Sequence, residues 1–205
     1  DDFDTGHITH DFFIIACSVS TGTQAQNYPS LVDVYFADNK YYPAKLLDES
    51  GNQLKVQFIH SQSIYSFDNT GHIISSTGSY KPGDKVKLIR IFKFTEDLYN
   101  VSRTILNGTK LGIVFGDGQL YFGFAAQITA SLLHMVMFYH SWSVYDFIKP
   151  PSGKWKVYST DKGKYPINHV IQSVYALEEE GRVFYSDGTL KASQLNERRP
   201  SETNN

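Results

Sequence analysis

The chain has 205 residues, of which 41% are hydrophobic and 20% charged, and its formal net charge is -2 at pH 7. This composition is too apolar for a disordered chain, and the charge excludes a protein that wraps nucleic acid through bulk positive charge. No apolar run reaches the roughly 18 residues that a membrane helix needs, so we expect no membrane partner. With 14 Tyr and 14 Phe, aromatic residues make up 15% of the chain, which favours β structure because rings pack well on pleated surfaces.

The first 27 residues contain one apolar strand candidate, Phe12 to Cys17, ahead of a Ser/Thr/Gln-rich stretch. We expect residues 1–27 to form an extension with one added strand. Cys17 is the single cysteine, so the sequence offers neither an internal disulfide nor a cysteine pair for zinc. His7 and His10 have no accompanying set of ligand residues, and we expect no metal and no cofactor.

Three segments then repeat one pattern of short strands and aromatic residues. In each segment a strand ends on an aromatic residue, a tyrosine follows seven residues later and opens a second strand, and a third strand ends on another ring. The positions are Tyr35, Tyr42 and Phe58 in residues 28–78; Phe92, Tyr99 and Phe115 in residues 79–124; and Tyr158, Tyr165 and Tyr185 in residues 151–195. Short antiparallel strands of this kind close naturally into small barrels, because closure removes exposed edges. We therefore predict three consecutive β-barrels, packed together because each alone buries little surface.

Turn signals support this division. The third strands of the second and third segments run into Asp117-Gly118 and Asp187-Gly188, and Asp-Gly between strands is typical of a tight turn. Residues 125–140 contain no Gly or Pro and carry Ile128, Leu132, Met135 and Val136 at spacings of three and four, which predicts one short helix in a connector spanning residues 125–150. We expect the polar residues 196–205 to form a disordered tail.

The run from Val32 to Phe58 resembles the first strands of a Tudor domain, and the organisation as a whole is similar to tandem and triple Tudor regions of chromatin proteins. The resemblance implies an all-β fold of SH3-like barrels in which rings from three strands form a cage for methylated lysine or arginine. An acidic residue after the third ring often assists in that family. Carried over to this chain, the cage residues are Phe92, Tyr99, Phe115, Asp117 and the nearby Tyr121; Tyr158, Tyr165, Tyr185 and Asp187; and Tyr35, Tyr42 and Phe58, where His60 replaces the acid.

The resemblance implies a nuclear, chromatin-associated reader whose partner is a methylated histone-tail peptide. Two plainer interpretations remain open: the rings could fill barrel cores, and Asp-Gly makes a turn whether or not a ligand is present. A DNA-binding or protein-scaffold module is the alternative function, based on two basic clusters: Lys81, Lys85, Lys87, Arg90 and Lys93; and Lys149, Lys154, Lys156, Lys162 and Lys164. A third class, an extracellular adhesion protein, predicts a glycan on Asn100 or Asn107.

An enzyme is not expected. The sequence contains no serine elbow, Walker loop or dinucleotide fingerprint, and Gly116-Asp117-Gly118 lacks the spacing of a dinucleotide motif.

Overall fold

The computed structural model describes residues 28–98, 108–192 and 195. The expected extension 1–27, the cage candidate Tyr99 and the expected tail 196–205 lie outside the described residues. Within those ranges no helix is long and apolar enough to cross a membrane.

The fold is all-β, as the aromatic composition predicts, and every pairing between the strands of the described residues is antiparallel. Side chains alternate between core and solvent because successive strand residues point to opposite faces; in the third strand Leu54, Val56 and Phe58 are buried while Gln53 and Lys55 are exposed. The strands are β1 (Leu31–Tyr35), β2 (Tyr41–Ser50), β3 (Gln53–Phe58), β4 (Ile64–Asp68), β5 (Ile73–Ser76), β6 (Leu88–Asp97), β7 (Thr109–Phe115), β8 (Leu120–Ile128), β9 (Leu132–Phe138), β10 (Val144–Ile148), β11 (Lys156–Asp161), β12 (Ile171–Glu179) and β13 (Tyr185–Ser186).

The sheet consists of two copies of one six-stranded unit. Its order is β11-β10-β9-β8-β7-β12-β6-β1-β2-β3-β4-β5, and β13 pairs with β6 outside this path. In the first copy, β1–β6, five strands follow one another as a meander and the sixth returns to pair with the first. The second copy, β7–β12, has the same order, and the copies meet where β6 pairs with β12.

The threefold repeat of closed barrels is not confirmed. The three segments that were predicted to be equivalent begin at β1, β6 and β11, which are the first and sixth strands of one copy and the fifth strand of the other. The ladder of the described strands ends at two edges, β5 and β11, and is not closed. Single bridges, His72 to Lys85 and Lys156 to Val170, connect the edge of each copy to the segment that leads into its sixth strand.

The helix predicted within residues 125–140 is wrong, because these residues form the end of β8 and the whole of β9. Met135 has a φ of 51°, and the register between β9 and β10 shifts beside it. As a result Leu133 and Val136 are both fully buried although they lie three residues apart. An irregular strand thus reproduces the spacing that is typical of one face of a helix.

Buried side chains form a core inside each copy and a third cluster between the copies. We call this third cluster the seam. At its centre the ammonium of Lys110 lies 3.0 Å from Oδ2 of Asp33, and the two side chains are 3% and 1% exposed. The same ammonium lies 5.2, 4.9 and 5.4 Å from the ring centroids of Tyr41, Phe92 and Tyr139. The seam therefore joins strands of both copies through a buried ion pair enclosed by rings.

Candidate functional site

Each copy carries an aromatic pocket, and the two pockets lie at equivalent positions of the two units. The first pocket has a volume of about 270 Å³ and the second about 290 Å³. The residues lining the first pocket are Phe36, Tyr42, Phe58, His60, Ser61, Ser63, Tyr65, Ser79 and Tyr80. The residues lining the second pocket are Phe115, Tyr121, Phe138, His140, Ser141, Ser143, Tyr145, Lys162, Lys164 and Tyr165.

One wall of each pocket is built by a motif of Phe-x-His-Ser-x-Ser-(Ile/Val)-Tyr-x-Phe. It occupies residues 58–67 in the first copy and recurs at residues 138–147, at a constant offset of 80 residues. The motif spans the end of one strand, a turn and all but the last residue of the next strand. In both copies the first Phe and the Tyr are buried, whereas the His and the first Ser are exposed at the pocket mouth.

The turn inside this motif has the same geometry in both copies. The amide of Phe58 donates to the carbonyl oxygen of Ser63 at 2.9 Å, and the amide of Phe138 donates to that of Ser143 at 3.1 Å. In both turns the residue between the serines has a left-handed backbone, with φ of 61° at Gln62 and 56° at Trp142. Matching strain at matching positions indicates that the two turns are conformational equivalents.

A second wall comes from the hairpin between the first two strands of each copy. Phe36 and Phe115 occupy equivalent places where the first strand gives way to this turn. The turns contain Asn39 with φ of 62° and Gly118 with φ of 84°, and Asn and Gly are the residues that adopt this conformation most readily. The Asp-Gly turn predicted at Asp117 is therefore confirmed, and it carries the acid to the rim of the second pocket.

A third wall is formed by a tyrosine in the segment before the sixth strand. The ring of Tyr80 stacks on Phe36 with centroids 4.4 Å apart, and Tyr165 stacks on Phe115 at 3.9 Å. These stacks join distant parts of the chain. In each copy the phenylalanine lies at the end of the first strand, whereas the tyrosine comes after all five strands of the meander.

A glycine two residues before this tyrosine lets the hydroxyl of the motif tyrosine, Tyr65 or Tyr145, approach the backbone closely. The hydroxyl oxygens of Tyr65 and Tyr145 accept hydrogen bonds from the amides of Tyr80 and Tyr165, each at 3.2 Å. A Cβ atom on the preceding glycine, residue 78 or 163, would lie 2.2 or 2.1 Å from the same hydroxyl oxygen. Only glycine fits there, so both pockets depend on the same contact.

An acidic residue and a tyrosine hydroxyl meet at each rim. The hydroxyl of Tyr42 donates to Oδ2 of Asp38, and the hydroxyl of Tyr165 donates to Oδ2 of Asp117, both at 2.8 Å. The backbone amide of Gln119 and the Tyr165 hydroxyl lower the pKa of Asp117, whose carboxylate is exposed. Burial, followed by the hydrogen bond to Asp38, raises the pKa of Tyr42. Each rim therefore presents a carboxylate beside neutral phenol rings.

The surroundings of the histidines at the pocket mouths favour the neutral imidazole, because they lower the pKa of both. Partial burial lowers the pKa of His60, and the pKa of His140 is lowered by burial and then by the charge of Lys164. The imidazole of His60 lies 5.3 Å from the ring of Tyr42, and that of His140 stacks on Tyr121 at 4.2 Å. In the neutral form these imidazoles extend the aromatic surface.

The structure brings together six of the predicted cage residues. Two candidates from the segment 28–78 line the first pocket. The second pocket combines candidates from the segments 79–124 and 151–195. These six are Tyr42 and Phe58 in the first pocket, and Phe115, Tyr121, Tyr165 and the rim residue Asp117 at the second.

The other described candidates lie elsewhere. Tyr35 and Phe92 are buried in the seam, and Tyr158 is 56% exposed on β11. Tyr185 packs against the first core, where its ring would collide with any side chain at position 71, and Asp187 accepts hydrogen bonds from Thr189 within its own turn. These residues join neither pocket.

Sequence reasoning missed half of the rings in these pockets. Phe36, Tyr65 and Tyr80 in the first pocket and Phe138 and Tyr145 in the second were not among the candidates. The recurrence of the ten-residue motif at an offset of 80 residues was the signal that could have identified the Tyr65 and Tyr145 positions.

Comparison with known proteins gives no match: no family model, no curated protein and no solved structure shows significant similarity to the chain. In the part of the chain that the structure describes, no cluster of three or more His, Cys, Asp or Glu residues could hold a metal ion. The internal repetition of the pocket is therefore the main guide to function.

Proposed function

We propose that the chain is a chromatin-associated reader that binds methylated lysine or arginine on histone tails through an aromatic pocket. The two copies would then be Tudor-like units, each related to an SH3-like barrel, acting in the nucleus as a binding module rather than an enzyme. The observation that carries this proposal is the twofold recurrence of an open pocket of four or more aromatic rings with a carboxylate at its rim.

The chemistry of a methylated ammonium group suits this lining. Methylation keeps the positive charge but weakens hydration, so the faces of aromatic rings attract the group with about 0.5–2 kcal/mol per contact. In the first pocket Phe58 and Tyr65 are nearly perpendicular, with centroids 5.1 Å apart, and Phe36 and Tyr80 form the adjoining stack. Rings in several orientations surround a cation better than one flat surface does.

The pocket volume favours a side-chain head group over a larger ligand. Pockets that bury most of a drug-sized molecule usually measure about 300–1,000 Å³. The first pocket, at about 270 Å³, lies below that range. Asp38 at the rim adds a negative charge that a cation would approach.

The alternative of DNA binding has less support. Arg90 forms two hydrogen bonds with Glu179, at 2.9 and 2.7 Å, and Lys93 forms an ion pair with Glu180. Lys87 donates to Asn39 at 2.5 Å. The two glutamates reduce the positive charge of the first basic cluster that is available for phosphates. A salt-dependent gel shift tests the alternative, because phosphate contacts weaken steeply as ionic strength rises.

Calorimetric titration tests the proposal. The ligands are histone-tail peptides carrying unmodified, mono-, di- and trimethylated lysine or dimethylated arginine. We expect at least one methylated peptide to bind about tenfold more tightly than its unmodified form, which corresponds to about 1.4 kcal/mol.

Two tyrosine variants make that titration specific. Tyr42→Ala removes a ring from the first pocket and should abolish the preference for methylation. Tyr158→Ala removes an exposed ring outside both pockets and should leave it unchanged. Equal binding of all peptides, or equal effects of the two substitutions, would rule out the proposed site.

A further inference from the structure

The second pocket already contains a cation of the chain itself. The ammonium of Lys164 lies 5.0 Å from the ring centroid of Tyr165 and 5.7 Å from that of Tyr121. It also donates a hydrogen bond to the hydroxyl of Tyr121 at 3.3 Å. The exposed Lys164 thus already contacts two of the rings that the proposed function assigns to a ligand cation.

Within the described part of the chain, the first pocket has no such occupant. The segments that supply the third wall align as Gly78-Ser79-Tyr80 and Gly163-Lys164-Tyr165, so Ser79 is the counterpart of Lys164. Both residues line their pockets. Among the described residues that line the first pocket there is neither lysine nor arginine.

The local charges reinforce this difference. The positive charge of Lys164 contributes to lowering the pKa of Asp117, after the hydrogen bonds from Gln119 and Tyr165, and it also lowers the pKa of His140. The carboxylate at the second rim is therefore already partly balanced by an internal ammonium. A second cation entering this pocket would meet a like charge beside the same rings, and like charges disfavour one another.

Building on the proposed function, we infer that the two pockets have different roles. Lys164 is an internal competitor that keeps methylated cations out of the second pocket, and the first pocket is the binding site. Lys164 and Ser79 are the residues that determine which copy binds. Lys162 also lines the second pocket, but the ammonium of Lys164 lies over its rings, so exchanging Lys164 and Ser79 should exchange the preference.

The test uses tetramethylammonium as a probe, because this ion carries the head-group chemistry without any peptide sequence. Two-dimensional NMR follows the amide signals of the serines that line the two pockets, Ser61 and Ser63 in the first and Ser141 and Ser143 in the second. In the unmodified chain we expect the first pair of signals to shift on titration. The second pair should report an affinity at least about fivefold weaker, or no binding. A factor of about five corresponds to the upper end of the free energy of one exposed cation–π contact.

Two reciprocal substitutions separate the causes. Lys164→Ser should bring the affinity of the second pocket to within about threefold of the first, as expected when one exposed cation–π contact no longer competes. Ser79→Lys should weaken the first pocket by up to about fivefold for the same reason. Lys154→Ser, which removes an exposed lysine that lines neither pocket, is the matched control and should change nothing.

The outcomes distinguish this inference from the proposed function. Two results would overturn the role of Lys164 while leaving cation binding at the first pocket intact. One is equal affinity for the probe at both pockets of the unmodified chain, and the other is no gain of probe binding at the second pocket in Lys164→Ser. Absence of any shift at the first pocket, in the unmodified chain and in Lys164→Ser, would remove the proposed function and with it this inference.

Discussion

The seam and the first pocket use the same kinds of residue with opposite exposure. In the seam a lysine ammonium lies about 5 Å from three rings and 3.0 Å from a carboxylate oxygen, and Lys110 and Asp33 are almost completely buried. In the first pocket rings and a rim carboxylate are arranged around a space whose mouth residues, His60 and Ser61, are exposed. In the seam, where each copy covers the other, rings around a cation hold the two copies together. In the first pocket, whose mouth is open to solvent, the same kinds of residue form a candidate binding site.

The buried pair of the seam should give the largest effect on stability. Lys110→Met leaves the carboxylate of Asp33 without its ammonium in a buried site, which should lower the free energy of unfolding by about 3–5 kcal/mol. The double variant Lys110→Met with Asp33→Asn should recover part of this loss because it removes both charges. Chemical denaturation monitored by tryptophan fluorescence measures these differences.

An exposed ion pair is the control for the seam. Lys93→Met removes the partner of Glu180, and the lysine side chain of that pair is 56% exposed. Its effect should stay within about 0–1 kcal/mol. Equal losses from Lys110→Met and Lys93→Met would contradict the structural role of the seam.

A glycine beneath the first pocket should give an intermediate effect. Gly78→Ala places a Cβ atom 2.2 Å from the hydroxyl of Tyr65, so the tyrosine must move out of the pocket wall. We expect a loss of about 1–3 kcal/mol in stability, as for other overpacked sites, together with weaker binding of tetramethylammonium. Gly181→Ala has no atom within 4 Å of its new Cβ and should leave both properties unchanged. Unaltered binding in Gly78→Ala would show that the position of Tyr65 does not matter to the site.

The pH dependence of the first pocket should be the smallest of these effects. His60 is neutral above its lowered pKa and becomes cationic as the pH falls through that value. The new charge lies beside Tyr42, Tyr65 and Tyr80 in the same pocket, with Asp38 at its rim, and it opposes a bound cation. Affinity for tetramethylammonium should therefore be constant above pH 7 and fall by about fivefold, or about 1 kcal/mol, as the pH drops below the lowered pKa of His60.

The variant His60→Gln identifies the group responsible for that pH dependence. We expect its binding to be nearly independent of pH between 5 and 8, since glutamine does not titrate. A profile in which His60→Gln still loses affinity on acidification would assign the effect to another group.

Local pattern predicts the class of fold well, because alternating strands, aromatic residues and Asp-Gly turns act within a few residues. It predicts the face of a strand poorly. Tyr35 was the candidate for the first cage, but its neighbour Phe36 lines the pocket while Tyr35 packs in the seam. Successive residues of an extended chain point to opposite sides, so a shift of one position exchanges the binding site for the core.

The number of copies was also hidden from local pattern. The seven-residue spacing occurs three times, yet only Tyr35 and Tyr42 lie on neighbouring strands of one hairpin among the described pairs. Tyr158 lies on the edge strand β11 and Tyr165 in the loop that follows. The longer motif at residues 58–67 and 138–147 identifies the true period, because its members contact one another and the pocket. Tyr80 was missed and Tyr165 was grouped with the wrong rings, since their stacking partners are 44 and 50 residues away.

The most direct measurement is an NMR experiment on a complex with a histone-tail peptide whose trimethyllysine carries ¹³C-labelled methyl groups. Magnetisation transfer from these methyl protons reports which ring protons lie beside them. We expect transfer to Tyr42, Phe58 and Tyr80 of the first pocket, with the methyl signal moved upfield by the rings. Transfer to residues outside both pockets, or no transfer to any ring of the first pocket, would contradict the proposal that this pocket binds the methylated cation.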